Sequence, residues 1–342
     1  MLPATMTAAV TVGHGGPDRI ELHADWPCPQ PGPGEVVVRV TAAALNNTDI
    51  WSREGAYGTA TDPGAIVGWK GRALDFPLIQ GIDVAGTVGA VGTDVESAWV
   101  GRRVIVDPIA AYEGEFPARI IGSELDGGFA QYHRCAVGQL RDVSASPLTD
   151  AQLSCLPTAY GTATGMLRRA RCSRDERVMV TGASGGVGMA AVQLLVNRGC
   201  EVVARTSAAQ RELVMALGVS EVSIRGVDDV SQLRQVDAVV DVVGGDEFGL
   251  LIDRLRNGGR LVTAGAIAGP VVPFDIRRLY LGQRTLIGST MHTSTDFDEL
   301  AEIAVAGGVE PLVAARYPLT DIGSAQARFV AKDFVGKLVL EP

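Results

Sequence analysis

Ligands for a structural metal or a disulfide framework are scarce in this chain. Its five cysteines, Cys28, Cys135, Cys155, Cys172 and Cys200, lie far apart and form no Cys-x2-Cys pair. Its four histidines, His14, His23, His133 and His292, are equally dispersed. A zinc ribbon and a disulfide scaffold are therefore excluded. Long apolar runs are lacking too: no segment approaches the roughly 20 unbroken apolar residues that span a bilayer. The opening MLPATMTAAVTVGHGG has neither the basic region nor the apolar core of a signal peptide. A soluble, cytoplasmic protein without a membrane partner is expected. Positive charge is also short, the formal net charge being −9, which argues against nucleic acid as the main ligand. What the chain does have is 342 residues, 46% hydrophobic and 20% charged, with no internal repeat or low-complexity tract. That is enough for two domains with cores of their own.

The most informative stretch is VMVTGASGGVGMAAVQLLVNRG, Val178 to Gly199. Arg177 to Thr181 reads as a buried parallel strand and Gly182 to Gly188 as a turn. Val187, Ala190, Ala191, Leu194 and Leu195 recur at helical spacing. Gly182, Gly185 and Gly188 fill the form G-x-x-G-x-x-G, which lets backbone amides at a helix start approach a pyrophosphate with no Cβ in the way. Gly182, Ser184, Gly185, Gly186 and Val187 are the expected contacts. A second strand, Glu201 to Ala204, completes a βαβ unit and makes this a dinucleotide-site candidate.

The residues after that second strand bear on which dinucleotide binds. A carboxylate there would accept from the ribose 2′-hydroxyl of NAD, whereas this chain reads ARTSAAQRE and has no acid before Glu212. Arg205, Ser207 and Arg211 suit a 2′-phosphate, so NADP(H) is the expected cofactor. Solvated surface arginines are the plainer alternative.

Along the chain, short β-type runs punctuated by Gly and Pro extend from Ala8 to about Val143: Glu35–Ala43, Gly86–Val91, Arg103–Val106 and Gly128–Arg134. From about Leu148 to Ala268 strands alternate with helices, with Val236–Val243, a helix at Phe248–Leu255, and Gly259–Ala264 after the first βαβ unit. The tail carries helices near Asp296–Ala306 and Ile322–Ala331 and a strand Lys337–Leu340. The fold class read from this is α/β: an antiparallel barrel-like domain (1–145), a doubly wound parallel sheet (146–284), and a C-terminal segment (285–342) that completes the first domain.

The blocks AALNNTDIWSREGAY, QGIDVAGTVGAVG, GRRVIV, DGGFAQY, LPTAYGTA, GASGGVG, DVVGG, GGRLVTAG and GKLVLEP, in this order and over nearly the whole chain, resemble the medium-chain dehydrogenase/reductase superfamily. The resemblance implies a GroES-like β-barrel catalytic domain and a Rossmann nucleotide-binding domain inserted into it. In the superfamily's zinc alcohol dehydrogenases a cysteine stands at the position of Asn46, Gly-His-Glu at Gly81-Ile82-Asp83, and a later cysteine near Thr158. An amide, a branched alkyl group and a hydroxyl cannot assemble a soft N/S site, so no metal is expected. The chain looks like the zinc-free quinone oxidoreductase and enoyl reductase branch, which is NADPH-dependent.

Hydride addition to an enone or quinone develops charge on oxygen and calls for hydrogen-bond donors and a proton source. The spacing of Asn46, Asp49 and Tyr57 matches the block in which zinc-free enoyl reductases carry a tyrosine as proton donor. Tyr57 and Asn46 are thus the catalytic candidates, with packing on the nicotinamide as the alternative for Tyr57. Asn46, Thr48, Thr158 and Thr162 are expected beside the nicotinamide, with a helix start as the alternative for Thr158 and Thr162, and Lys337 resembles the branch's C-terminal lysine beside a cofactor phosphate, a solvated side chain being the equal alternative. Asp49 is expected to cap the following helix. Val243 and Gly244, with Gly265 and Ala266, sit at strand carboxyl ends that line such a crevice. Gly58 to Gln80, with Trp69 and Phe76, is longer than the usual link and is expected to form part of the substrate pocket. The stretches Arg260–Val272 and Leu286–Met291 suit a sheet extended across a two-fold axis, so a homodimer acting on a small molecule is expected. The leading function is an NADPH-dependent, zinc-free reductase of quinones or activated double bonds. A zinc-independent carbonyl or alcohol oxidoreductase, or a low-turnover NADPH-binding sensor or structural protein, stands beside it.

Overall fold

The computed structural model describes residues 1–59, 61 and 74–342. Most of the expected pocket loop, including Trp69, lies outside the described residues, whereas Phe76 packs edge-on against His14 at 4.9 Å. The chain divides into two units. One comprises Met1–Thr158, Ala301–Gly307 and Pro311–Pro342; the other comprises Ala159–Leu300 and Gly308–Glu310. Among the described residues no helix is long and apolar enough to cross a membrane.

The first unit is organised around the strand Glu35–Ala44. Its valine-rich half suits a pleated interior, and Val36, Val37 and Val38 are fully buried. It pairs antiparallel with Ala85–Val91, Tyr132–Ala136 and Lys337–Glu341. The resulting sheet has seven strands and reaches Leu140–Asp142 at one end and Val313–Pro318 at the other. The Gly128–Arg134 expectation shifts to Tyr132–Ala136 because Gly127 to Phe129 are committed to hydrogen bonds with Ile79, Gln80 and Gly81. A hairpin of Thr5–Thr11 and Ile20–Pro27 forms a second sheet with Leu78–Ile79. The C-terminal strand does join this unit: Val339 faces Ala44 and Leu340 faces Ala43. At that end the central strand narrows to alanine, so that Ala42 and Ala44 pack with Ala151, Cys155 and Val339.

The second unit is a six-stranded, all-parallel sheet. Its strands are β1 (Arg177–Val180), β2 (Glu201–Thr206), β3 (Glu221–Ile224), β4 (Val236–Asp241), β5 (Leu255–Thr263) and β6 (Thr285–Gly288). Their order across the sheet is β3-β2-β1-β4-β5-β6. Every residue of β1 and of β4 is buried, as continuous apolar runs in a parallel sheet should be. Helix α1 (Gly186–Asn197) follows β1, and α2 (Phe248–Arg254) follows β4. The order reverses between β1 and β4, which makes the crevice beyond their carboxyl ends the place for a ligand.

The units divide later than the expected points after residues 145 and 284. Helix Asp150–Leu153 belongs to the first unit because Ala151 sits on the alanine end of the central strand. Residues around Asp296 belong to the second because Asp296, 1% exposed, is paired with Arg168 at 2.8 Å.

Candidate functional site

In the first unit the central strand ends at Ala44, and Asn46 caps the helix Asn47–Glu54. Asp49, in the first turn, accepts from the Asn46 N–H at 2.7 Å and from the Ile82 N–H at 3.3 Å. It thereby fastens the helix start to the segment carrying Asp83, the capping role expected of it. Burial pushes its carboxyl up to about 7; the Asn46 N–H opposes that, the charge of Asp83 adds to it, and Lys337 and the Ile82 N–H oppose it.

Asn46, Asp83, Thr158 and Lys337 form one buried cluster. Asn46 Nδ2 donates to Asp83 Oδ2 at 2.8 Å and to the Ala44 carbonyl at 3.2 Å. Lys337 Nζ donates to Asn46 Oδ1 at 2.5 Å and to Asp83 Oδ2 at 3.2 Å. The Thr158 N–H donates to Asp83 Oδ1 at 2.7 Å. Asp83 is wholly buried, and Asn46, Lys337 and Thr158 are no more than 9% exposed. Strand pairing brings them together: the Leu45 N–H donates to the Leu338 carbonyl, so Asn46 and Lys337 are neighbours across the sheet.

These are the positions at which the resemblance compares the chain with zinc enzymes, and the residues do not fit a zinc ion. The carboxylate is already held by an ammonium, an amide and a backbone N–H, Ile82 is a buried alkyl group, and thiolate and imidazole donors are missing from the set. The resemblance implies a place for Lys337 beside a cofactor phosphate; the structure turns its ammonium to Asp83 and Asn46 instead. Asn46 likewise spends both ends of its amide inside this cluster, whereas the buried Thr158 hydroxyl has no hydrogen-bond partner among the described residues. Tyr57, past the helix end, is hydrogen-bonded to Thr48 and stands edge-on to Trp51 at 6.2 Å. Burial raises its phenol above the usual value, an effect the Thr48 hydrogen bond opposes.

In the second unit the glycine turn joins β1 to α1. Gly182 adopts a left-handed φ of +58°, and Gly185 is the N-cap of α1, whose start has no side-chain cap. A Cβ on Gly188 would collide with the Gly182 carbonyl oxygen. The turn thus closes only with glycine at 188 and leaves the first amides of α1 unclaimed by a side chain, a cradle suited to a pyrophosphate.

A pocket lies against this turn. Gly182, Ser184, Arg205, Ser207, Val243 and Gly244, all sequence candidates, line it together with Thr181, Thr206, Arg225, Asp241, Glu247 and Leu251. Gly185, Gly186 and Val187 continue the turn into α1. Asp241, fully buried, fixes the floor by accepting from Thr181 Oγ1 at 2.6 Å and from the Gly244 N–H at 3.1 Å. Gly265 and Ala266 are outside the lining but adjoin it: a Cβ on Gly265 would meet the Val242 carbonyl oxygen, and one on Gly244 would meet Ala266. Thr162 is buried in the helix Gly161–Arg169, where its hydroxyl contacts Met291 Sδ at 3.7 Å.

The charged wall of the pocket differs from the sequence expectation. Arg205 is 4% exposed and already paired with Glu247, while Arg211 is an exposed helix residue that is not part of the lining. Arg225, which follows β3, takes a place beside Ser207. Sequence reasoning misses it because only the β2–β3 pairing, with the Arg225 N–H bonded to the Thr206 carbonyl, brings it there. Glu247 escapes the same reasoning, although it shares the β4 turn with Val243 and Gly244, because its pairing with Arg205 of β2 depends on strand order. What this pocket offers a dinucleotide is the glycine cradle and the exposed Arg225, Arg205 being held by Glu247.

Comparison with known proteins agrees with this architecture. Residues 32–145 match the alcohol dehydrogenase GroES-like domain and residues 186–306 the zinc-binding dehydrogenase family. The chain is 28% identical over 334 residues to acryloyl-coenzyme A reductase of Sulfurisphaera tokodaii, covering 92% of this chain and 95% of that one. It is 24% identical over 351 residues to human quinone oxidoreductase, covering 98% and 97%. A solved structure from Sinorhizobium meliloti 1021, provisionally named an alcohol dehydrogenase, superposes with a TM-score of 0.92 at 42% identity and covers 100% of this chain and 98% of that chain.

Proposed function

The chain belongs to the medium-chain dehydrogenase/reductase superfamily, and from that premise we propose that it is an NADPH-dependent, zinc-independent reductase of quinones or activated carbon–carbon double bonds. The observation that carries this reading is the Lys337 ammonium, seated on Asp83 and Asn46 where the family's zinc enzymes gather ligands. With that place taken by a protein cation, an activated alkene must be polarised and protonated by side chains, whereas a quinone takes its protons from solvent. When bound, the nicotinamide cofactor supplies the hydride. The chain's own residues do the rest: the turn Gly182–Gly188 and the amides of α1 hold a pyrophosphate, and Ser207 and Arg225 offer donors to a 2′-phosphate. Tyr57 keeps a proton at neutral pH because burial raises an already weak acid. The similarity to an acryloyl-coenzyme A reductase and to a quinone oxidoreductase supports both acceptor classes. The reading includes a cytoplasmic homodimer.

Carbonyl reduction is the second reading, favoured by the 42% identity to the S. meliloti structure. Stopped-flow oxidation of NADPH, with NADH in parallel, decides between them on a panel of quinones, enones, enoyl-coenzyme A thioesters and aldehydes with EDTA-treated protein. Turnover of quinones or alkenes that is insensitive to the chelator is the expected result. Turnover of aldehydes alone supports the carbonyl reading, and tight binding without turnover supports a binding protein.

A further inference from the structure

Of the four charged side chains that line the second-unit pocket, Asp241 forms the floor and the other three come from three different strand ends. Arg205 ends in β2, Arg225 follows β3, and Glu247 lies in the turn before α2. Arg205 donates from Nε to Glu247 Oε2 at 2.7 Å and from Nη2 to Glu247 Oε1 at 2.5 Å. Its Nη1 donates to Ser223 Oγ at 2.7 Å. The fork of the guanidinium is therefore filled by two carboxylate oxygens, the same two-point geometry in which arginine grips a phosphate. Arg225, by contrast, is exposed and has no ion pair among the described residues. The three side chains together carry one positive charge, not the two that the arginines alone would give, and the Asp241 carboxylate on the floor makes the lining formally neutral.

We infer that Glu247 sets the choice between the two nicotinamide dinucleotides in this pocket. Its carboxylate competes with a 2′-phosphate for Arg205 and offers an acceptor to a free ribose 2′-hydroxyl. Arg225 and Ser207 are then the groups that read the phosphate. The protein binds NADH as well as NADPH, with a preference for NADPH smaller than two free arginines would confer. Glu247 is thus a specificity-determining acid that lies far in sequence from the β2 end, where such an acid is ordinarily sought. This inference rests on the reading of the pocket as a dinucleotide site.

The test is direct binding, without turnover, of NADPH and NADH to the full chain, followed by isothermal titration and repeated with adenosine 2′,5′-bisphosphate and 5′-AMP to isolate the adenosine end. In Glu247→Gln the shape and one acceptor remain but the competing charge is gone. The ratio Kd(NADH)/Kd(NADPH) is expected to rise about tenfold. In Arg225→Ala it is expected to fall about tenfold, with NADH affinity within about twofold of wild type. Glu247→Asp, which keeps the charge and shortens its reach, should move the ratio in the same direction as Glu247→Gln but less. It serves as the informative variant if Glu247→Gln unfolds. A ratio unmoved by both Glu247 variants in protein that binds the dinucleotides overturns the inference alone. Wild-type protein that binds neither dinucleotide nor either fragment overturns the pocket reading itself.

Discussion

At the scale of single residues, the proposed reaction makes opposite demands on Tyr57 and Lys337 in the first unit. Tyr57 is a weak acid made weaker by burial, hydrogen-bonded to Thr48. As a proton donor it is expected to serve alkene reduction only, since a quinone can take its protons from solvent. Tyr57→Phe should lower kcat for an enone or enoyl thioester about 100-fold, with quinone turnover and the Kd for NADPH unchanged, measured by steady-state kinetics and titration. Because the shift is upward from about 10, the protonated donor persists across the neutral range, and the alkene rate should show no loss below that pH traceable to this group. Lys337 is a cation in an almost dry place, and its value lies in Asp83. Removing one partner of a buried pair strands the other charge. Lys337→Met should therefore cost about 3–5 kcal/mol of unfolding free energy in denaturant titration. Adding Asp83→Asn should return part of it, a coupling that a mere packing defect would not produce.

At the scale of elements, the turn between β1 and α1 is where glycine is demanded by geometry. The Cβ of Gly188→Ala would run into the Gly182 carbonyl oxygen, and that neighbour is backbone, which cannot rotate away. The variant should lose at least about tenfold in NADPH affinity by titration and several degrees in Tm, because the turn must open. At Gly323, in the helix Ile322–Ala331, an added methyl group would meet nothing within 4 Å. Gly323→Ala should instead add roughly 0.5–1 kcal/mol. The pair separates the cost of crowding from the general benefit of alanine. The glycine turn is legible in sequence because its requirements are local: seven consecutive residues fix strand end, turn and helix start. Arg225 and Glu247 are not legible, because each reaches the pocket only through strand pairing, β2 against β3 and β1 against β4.

At the scale of the whole molecule, the parallel sheet ends in β6, which pairs only with β5 among the described residues. Val271, Ile276, Tyr280 and Leu281, which precede that strand in the chain, are all exposed, Val271 at 91%. An open edge with apolar neighbours is a liability unless it is covered, and a second copy related by a two-fold axis would cover it symmetrically. Light scattering after size exclusion should give the mass of a dimer. Leu281→Arg should shift it toward the monomer while leaving NADPH binding in the second unit intact; a monomeric wild type would refute the expected assembly.

Local order along the chain dictates whatever depends on near neighbours. It determined the parallel-sheet texture of β1 and β4, the glycine turn, the cap made by Asp49, and the replacement of zinc-ligand types at Asn46, Ile82 and Thr158. Which distant charges meet is a matter of the packed fold. It put Lys337 on Asp83 across more than two hundred residues of chain, and it put Glu247 on Arg205 in place of an open phosphate site. The physical reason is that a buried charge is fixed by its partner, and partners are chosen by strand order and register, which no local pattern encodes.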